Sequence, residues 1–176
     1  MKNIDKFIQN LIQSFLEKEE SFLSLALREA EKISFFRQNQ HRGTAAYGFE
    51  WAIQTSLSYY LAESNQVSEL KIGKKSCYQP EAKKYKKYDL CFFVPNLNCK
   101  VILELKTIAV GASKAKSYIG IDIKKQFLPD AVVYVLVCSY PSTNHDFPEF
   151  PDTEKLVTGS MPENFTYCIY RIKKNR

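Results

Sequence analysis

Two acidic residues and a lysine stand inside apolar segments of the chain, where charged side chains are uncommon. Asp89 begins the segment 89–94 (DLCFFV), and Glu104 and Lys106 lie within the segment 101–108 (VILELKTI). An ionised group in such a segment costs free energy unless it is paired, solvated in a cleft or bound to a metal. One divalent cation held in a cleft would account for all three residues. The pattern therefore predicts a metal site at Asp89 and Glu104, with Lys106 beside it.

The two apolar segments are predicted to form neighbouring antiparallel strands. Both are rich in Val, Ile and Phe, and the residues 95–98 (PNLN) between them are typical of a turn. Side chains two apart on a strand share a face, so Glu104 and Lys106 should point the same way. In the alternative interpretation, Asp89 caps the start of its strand, while Glu104 and Lys106 form a weak ion pair on the solvated face of an edge strand.

The first third of the chain has the apolar spacing of helices. Between residues 4 and 16 apolar side chains recur at helical intervals, and after the charged residues 17–20 they resume to about residue 36. This pattern predicts either one long bent helix or a helical hairpin, which serves either as a lid packed on the core or as a dimerisation element. A polar loop over 38–44 precedes another predicted helix over 45–64. Glu50 lies on that helix, and its buried face is expected to comprise Phe49, Trp51, Ala52, Ile53, Leu57, Tyr60 and Leu61.

The rest of the chain is predicted to complete a sheet. A helix over 113–127 leads to the uniformly apolar segment 131–138, which is typical of a central strand that is buried on both faces and parallel to the strand before it. Residues 141–162 are rich in Pro, Ser, Thr, Asn and Asp and are predicted to form a long surface loop. Residues 165–172 alternate in polarity and are predicted to form an edge strand.

Composition is compatible with one folded domain of the α/β class. The order of elements predicts a mixed β-sheet flanked by helices, with an N-terminal helical segment over residues 1–40 and an α/β core over residues 41–176. The 25 Lys and Arg against 19 Asp and Glu give a net charge of +6, which favours an anionic partner such as nucleic acid. Five cysteines without a Cys-x-x-Cys pair indicate reduced thiols. Because no continuous apolar run marks a signal peptide or membrane span, we expect a cytoplasmic protein with no membrane partner.

The spacing of the charged residues resembles a known signature. Asp89, followed after fourteen intervening residues by Glu104-Leu105-Lys106, resembles the motif of the PD-(D/E)xK nuclease superfamily, which has the restriction-endonuclease-like fold. In that family an acidic residue on a preceding helix often joins the site, and Glu50 matches that position. The chain departs from the motif at Tyr88, where the family usually has proline. The resemblance covers about residues 45–138.

The resemblance implies a metal-dependent hydrolysis of phosphodiester bonds. Mg²⁺, with Mn²⁺ as a substitute, would be held by the carboxylates of Asp89 and Glu104 and the backbone carbonyl of Leu105. Lys106 would orient the attacking water or stabilise its hydroxide form, and Glu50 would be an outer ligand or position a second metal. A polar side chain on the following helix joins the site in some branches of the family, and the positions that correspond are Lys124 and Gln126.

A basic segment before Asp89 is the predicted contact with nucleic acid. Lysines neutralise phosphates and tyrosines stack on bases, and the residues concerned are Lys83, Lys84, Tyr85, Lys86 and Lys87. Arg42, Lys114 and Lys116 would extend this surface. In the alternative, the lysines only protect a hairpin edge from aggregation.

The sequence therefore predicts a magnesium-dependent DNA endonuclease, such as a small restriction enzyme or a related bacterial defence or repair nuclease. A homodimer is expected if the enzyme cuts both strands. Two alternatives stay open at this point. One is a nucleic-acid-binding or assembly protein that has this fold but does not cut, and the other is a scaffold domain whose basic segment only makes it soluble.

Overall fold

The sheet has six strands, and they are seen in a computed structural model that describes residues 2–26, 29, 44–73, 88–108, 120, 130–139, 147–161 and 165–173. These strands are β1 Ser68–Ile72, β2 Leu90–Val94, β3 Cys99–Ile108, β4 Ala131–Ser139, β5 Thr153–Met161 and β6 Phe165–Ile172. Within the described residues their order in the sheet is β1-β2-β3-β4-β6-β5. The pairs are antiparallel except for β3 and β4, which are parallel. The predicted α/β class, a mixed sheet with flanking helices, is confirmed.

The predicted hairpin is formed by β2 and β3. A 3₁₀ turn at Pro95–Leu97 connects the strands, and Asn98 closes it in the left-handed region at a φ of 45°, a conformation that asparagine tolerates better than most residues. The register pairs Val94 with Cys99 and Leu90 with Leu103. This register places the first residue of β2 opposite Leu103 of β3.

The apolar segment 131–138 is a central strand, as predicted. As β4 it lies between β3 and β6, and both of its faces are buried, because Tyr134, Val135, Leu136 and Val137 each have no exposed surface. Its parallel pairing with β3 runs from Lys100 opposite Ala131 to Ile108 opposite Ser139. A parallel neighbour requires a crossover connection. Of the helix predicted there, over 113–127, the described residues include Gly120 alone, which is helical.

Two helices cover one face of the sheet. They are α1 Lys2–Lys18 and α2 Thr44–Glu63, and residues 20–26 are also helical. The apolar stripe of α1 is buried in the same core as the inner faces of α2 and β3. The stripe of α1 therefore packs on its own domain, as the lid interpretation predicted. None of the helices in the described part of the chain is long and apolar enough to cross a membrane.

An ion pair fastens α1 to the sheet. The carboxylate of Asp5 accepts hydrogen bonds from Tyr134 Oη at 2.8 Å and from Arg171 Nη1 at 2.6 Å. Arg171 also pairs with Glu154 of β5. The side chains of Arg171 and Asp5 are only 14% and 13% exposed, so removing either partner leaves a charge in a poorly solvated place.

Three predictions about the fold were wrong. Part of the predicted loop 141–162 is the strand β5, and β6 is an inner strand instead of an edge strand because β5 pairs with its outer side. Trp51, predicted to be buried, is 68% exposed. Trp51 lies two positions before the buried Ile53, and two steps of about 100° on a helix place it near the opposite face.

Candidate active site

The end of β3 extends beyond its antiparallel neighbour. The ladder between β2 and β3 stops at Leu90 and Leu103, but β3 continues to Ile108 with β4 paired along its other side. Within the described residues, no strand pairs with 104–108 on the β2 side. The backbone N–H groups that point to this edge need other acceptors, since a buried donor without one costs free energy.

Two carboxylates provide those acceptors. Leu105 N donates to Asp89 Oδ2 at 2.7 Å, and Thr107 N donates to Glu50 Oε2 at 3.0 Å. Backbone groups two residues apart on a strand point to the same edge, and they are separated by roughly 7 Å. The carboxylates of Asp89 and Glu50 therefore follow one another along the same edge of β3, although the two residues are 39 positions apart in the chain.

Glu104 directly precedes the first of these two contacts and is almost completely buried. It is 1% exposed, and β3 is an inner strand of the sheet. The alternative in which Glu104 belongs to the solvated face of an edge strand is therefore wrong. Lys106 is half-buried and, two residues further along the strand, belongs to the same face as Glu104. The carboxylate and the ammonium thus lie on one face of β3, beside the edge that Asp89 and Glu50 occupy.

The backbone of Leu105 also faces this edge. In an extended strand the N–H and C=O of one residue point to the same side, which is why paired residues in an antiparallel ladder exchange both hydrogen bonds. Since Leu105 N donates to Asp89, the carbonyl oxygen of Leu105 points toward the same edge. Its side chain points into the core and is 1% exposed, so the strand is held firmly at this position.

The position of Asp89 is fixed by two further elements. Its carbonyl oxygen accepts hydrogen bonds from Gln54 Nε2 of α2 and from the backbone nitrogen of Gly73, each at 3.1 Å. The preceding Tyr88, which stands where the family has proline, is fully buried. Sequence analysis did not identify Gln54. Its only signal was its position one helical turn after Glu50, which places both side chains on the same side of α2.

The carboxylate of Glu50 is directed at the sheet instead of at solvent. Burial raises the pKa of the Cys138 thiol, and the nearby negative charge of Glu50 raises it further. Cys138 is the partner of Thr107 in the β3–β4 register, so this effect agrees with the hydrogen bond between Thr107 and Glu50. The Cys138 thiol is therefore protonated at neutral pH and is a poor nucleophile or metal ligand.

The oxygen atoms of this site suit a hard cation that takes only a few of its ligands from the protein. Across the described ranges, no three side chains of the His, Cys, Asp and Glu types are arranged to hold one metal ion. Mg²⁺ does not require three, because it usually takes one or two carboxylates and completes its octahedron with waters and substrate phosphates. Two carboxylates, at Asp89 and Glu104, and the carbonyl of Leu105 are hard oxygen donors of that kind.

The remaining predicted site residues lie outside the described part of the chain. They are Arg42, Lys83, Lys84, Tyr85, Lys86, Lys87, Lys114, Lys116, Lys124 and Gln126. The residues that flank the basic segment 74–87 are described, and the hydrogen bond from Gly73 N to Asp89 O joins them. The segment carries six lysines and one glutamate. Its flanking residues, Gly73 and Tyr88, therefore both lie beside Asp89.

Protein-family models, curated proteins and solved structures were compared with the chain, and none of them matches. The likeness to the PD-(D/E)xK superfamily accordingly stays a prediction. A function for this chain must come from the geometry of its own residues.

Proposed function

We propose that the protein is a cytoplasmic, magnesium-dependent DNA endonuclease with a restriction-endonuclease-like fold. The observation on which this proposal depends is the hydrogen bond from Leu105 N to Asp89 Oδ2 at 2.7 Å, next to the buried carboxylate of Glu104. It supports a shared site, because the Asp89 carboxylate contacts the residue that directly follows Glu104. Lys106 follows on the same face as Glu104.

The order of elements supports the same proposal. A helix with an inward-directed acid, α2, precedes an antiparallel pair, β2 and β3, and a parallel strand, β4, follows. This is the succession that the resemblance implies for the nuclease core. The hydrogen bond from Thr107 N to Glu50 supports Glu50 as the helical acid of the site.

The chemistry of each group follows from its type. Asp89, Glu104 and the Leu105 carbonyl would hold Mg²⁺, which when bound neutralises charge on the oxygens of the scissile phosphate. The ammonium of Lys106 orients the attacking water and offsets part of the repulsion between the carboxylates. Glu50 accepts the next N–H group along this edge of β3, that of Thr107, and acts as an outer ligand or positions a second ion.

The charge distribution supports a nucleic-acid substrate. The chain has a net charge of +6, and the residues that flank the lysine-rich segment 74–87, Gly73 and Tyr88, lie beside Asp89. Lysines placed there would neutralise phosphates on either side of the scissile bond. A homodimer would supply the second active site if both strands of a duplex are cut.

Plasmid cleavage tests the proposal. Supercoiled plasmid is incubated with the protein and Mg²⁺ or with EDTA, and the wild type is compared with Glu104→Gln and Lys106→Ala. Lys100→Ala is the matched control, because Lys100 lies on the same strand and the same face but six residues away. We expect both site variants to lose activity by about 100-fold or more, with little change in the control.

Each other result has a definite meaning. Equal cutting by all four proteins would indicate a contaminating nuclease and reject the proposal. Binding of DNA without cutting, in wild type and variants alike, would favour the non-catalytic nucleic-acid-binding protein instead.

A further inference from the structure

A groove of about 390 Å³ lies between the outer side of α2 and the strand β1. Two aromatic side chains in it are unusually exposed, Trp51 at 68% and Tyr59 at 70%. Trp51, Thr55 and Tyr59 are four residues apart in turn, so they form one stripe along the helix, and Leu70 and Ile72 of β1 form the opposite wall. Large aromatic groups exposed together in a concave place are typical of a binding surface.

The groove borders the carboxylate site through Gln54. Gln54 lines the groove and also donates its hydrogen bond to Asp89 O at 3.1 Å. Trp51 directly follows Glu50, whose carboxylate accepts from Thr107 N. A nucleic-acid strand that has one phosphate at Asp89 and Glu104 would therefore have its neighbouring nucleotide close to the groove.

We propose that this groove binds an unpaired nucleobase of the strand that is cut, so that the substrate is single-stranded or locally unpaired nucleic acid. The inference rests on the proposed function and adds the substrate class. Bases stack on exposed tryptophan and tyrosine rings whatever their sequence, because every base has a flat π-face. The Thr55 hydroxyl and the Gln54 amide, between the two rings, supply polar groups for the edge of a base.

Charge favours a nucleic acid over a second copy of the chain as the occupant. The lysine-rich segment 74–87 begins two residues after Ile72, which forms the wall of the groove. Two copies that met through this groove would each carry a net charge of +6, and like charges oppose such a contact. A polyanion is attracted by the same charge.

Trp51 is itself the probe for this inference, because it is the only tryptophan in the chain. The Lys106→Ala protein, which keeps both carboxylates, is titrated with an oligothymidylate in the presence of Mg²⁺. The same strand with abasic sites serves as the matched ligand, since it has equal charge and no bases. We expect the oligothymidylate to quench the Trp51 emission and the abasic strand to leave it nearly unchanged.

A second measurement uses the other ring. Tyr59→Ala should weaken oligothymidylate binding by about 5- to 150-fold, which corresponds to the 1–3 kcal/mol range for one stacked base, and should leave binding of the abasic strand unchanged. Phe22→Ala is the control, because Phe22 is an aromatic residue that is 47% exposed outside the groove. We expect this control to bind both strands as the wild type does.

The results that overturn the inference differ from those that overturn the proposed function. Equal quenching and equal affinity for normal and abasic strands would show that only phosphates are bound, and plasmid cutting by the wild type could still stand. A Trp51 emission that depends on protein concentration but not on DNA, together with a dimer that Tyr59→Ala dissociates, would assign the groove to a second copy. If the wild type does not cut plasmid at all, the proposed endonuclease activity is rejected, whatever the fluorescence shows.

Discussion

The carboxylate of Asp89 occupies the place that a neighbouring strand would take beside Leu105, since Asp89 Oδ2 accepts the Leu105 N–H at 2.7 Å. One step along the same edge, Glu50 does the same for Thr107. Both acids therefore have a structural task as well as the proposed chemical one. Substitutions that separate hydrogen bonding from charge can distinguish the two tasks.

The first prediction concerns Asp89. Asp89→Asn keeps an oxygen that can accept the Leu105 N–H, so it should change the free energy of unfolding by about 1 kcal/mol or less, whereas Asp89→Ala should reduce it by roughly 1–3 kcal/mol. Both variants should lose Mg²⁺-dependent cleavage, because neither has the charge to hold the ion. Urea unfolding and plasmid cutting measure the two effects, with Asp130→Asn, in an exposed turn, as the control. Full activity in Asp89→Asn would show that the acid is purely structural.

The second prediction concerns Glu50 as an outer ligand. Glu50→Gln retains an acceptor for Thr107 N but loses the charge, so cleavage should fall by roughly 10- to 100-fold, less than for Glu104→Gln. Excess Mn²⁺ should restore part of the activity, because a weakened site fills at higher metal concentration. Glu63→Gln is the matched control on the same helix, with a side chain that is 73% exposed. A Glu50→Gln protein as active as this control would remove Glu50 from the site.

The third prediction concerns the basic segment. The logarithm of DNA affinity should fall linearly with the logarithm of salt concentration, and Lys83→Ala with Lys84→Ala should reduce that slope by up to about 1.8, since each phosphate contact contributes about 0.9. The double variant Lys2→Ala with Lys6→Ala removes the same charge from exposed positions of α1 and should leave the slope almost unchanged. Equal slopes in both double variants would mean that the segment only contributes general charge.

Continuous apolar segments were the part of the fold that the sequence predicted best. The hairpin of β2 and β3 and the buried strand β4 have enough Val, Ile, Leu and Phe to specify strands without knowledge of their neighbours. Asp89, Glu104 and Lys106 could be singled out because they are charged residues within such segments. Glu50 had no such signal, since an acid on a helix is ordinary until the helix is docked on β3.

The strand β5 shows why the rest could not be predicted. Its sequence (TEKLVTGSM) contains Gly, Ser and two charged residues, and a segment with three Pro and two Asp precedes it, so local preference favours a loop. Pairing with β6, the next strand along the chain, stabilises β5 despite this preference. Trp51 was misplaced for a related reason, because apolar character alone does not tell a buried aromatic residue from one exposed in a groove.

The fourth prediction tests the pairing of β5 with β6. Gly159 is opposite Tyr167, and a Cβ at position 159 would lie 2.5 Å from the Tyr167 ring, which is 7% exposed. Gly159→Ala should therefore lower the free energy of unfolding by roughly 1–3 kcal/mol, through overpacking. Ser160→Ala, at the exposed neighbouring position, should change it by a few tenths.

A double-mutant cycle makes the Gly159 test specific. In a Tyr167→Val background the ring is gone, so Gly159→Ala should cost much less than in the wild type. An equal cost in both backgrounds would mean that Gly159 is needed for its backbone and not for the space that the Tyr167 ring fills.

The fifth prediction concerns alkaline pH and the attachment of α1 to the sheet. Burial raises the pKa of the Tyr134 phenol above its ordinary value of 10.0, and its hydrogen bond to Asp5 and the charge of that carboxylate raise it further. The folded protein therefore keeps this proton at a pH where the unfolded chain releases it. The stabilisation is complete below about pH 10 and decreases as pH rises above it, with a slope of up to about 1.4 kcal/mol per pH unit for one such group.

Tyr134→Phe cannot release a proton, so its free energy of unfolding, measured in urea between about pH 9 and pH 11, should fall less steeply than that of the wild type. It should also start about 1 kcal/mol lower at neutral pH, because the hydrogen bond to Asp5 is lost. Parallel pH profiles for the two proteins would contradict the burial of the Tyr134 phenol against Asp5, and with it this attachment of α1 to β4.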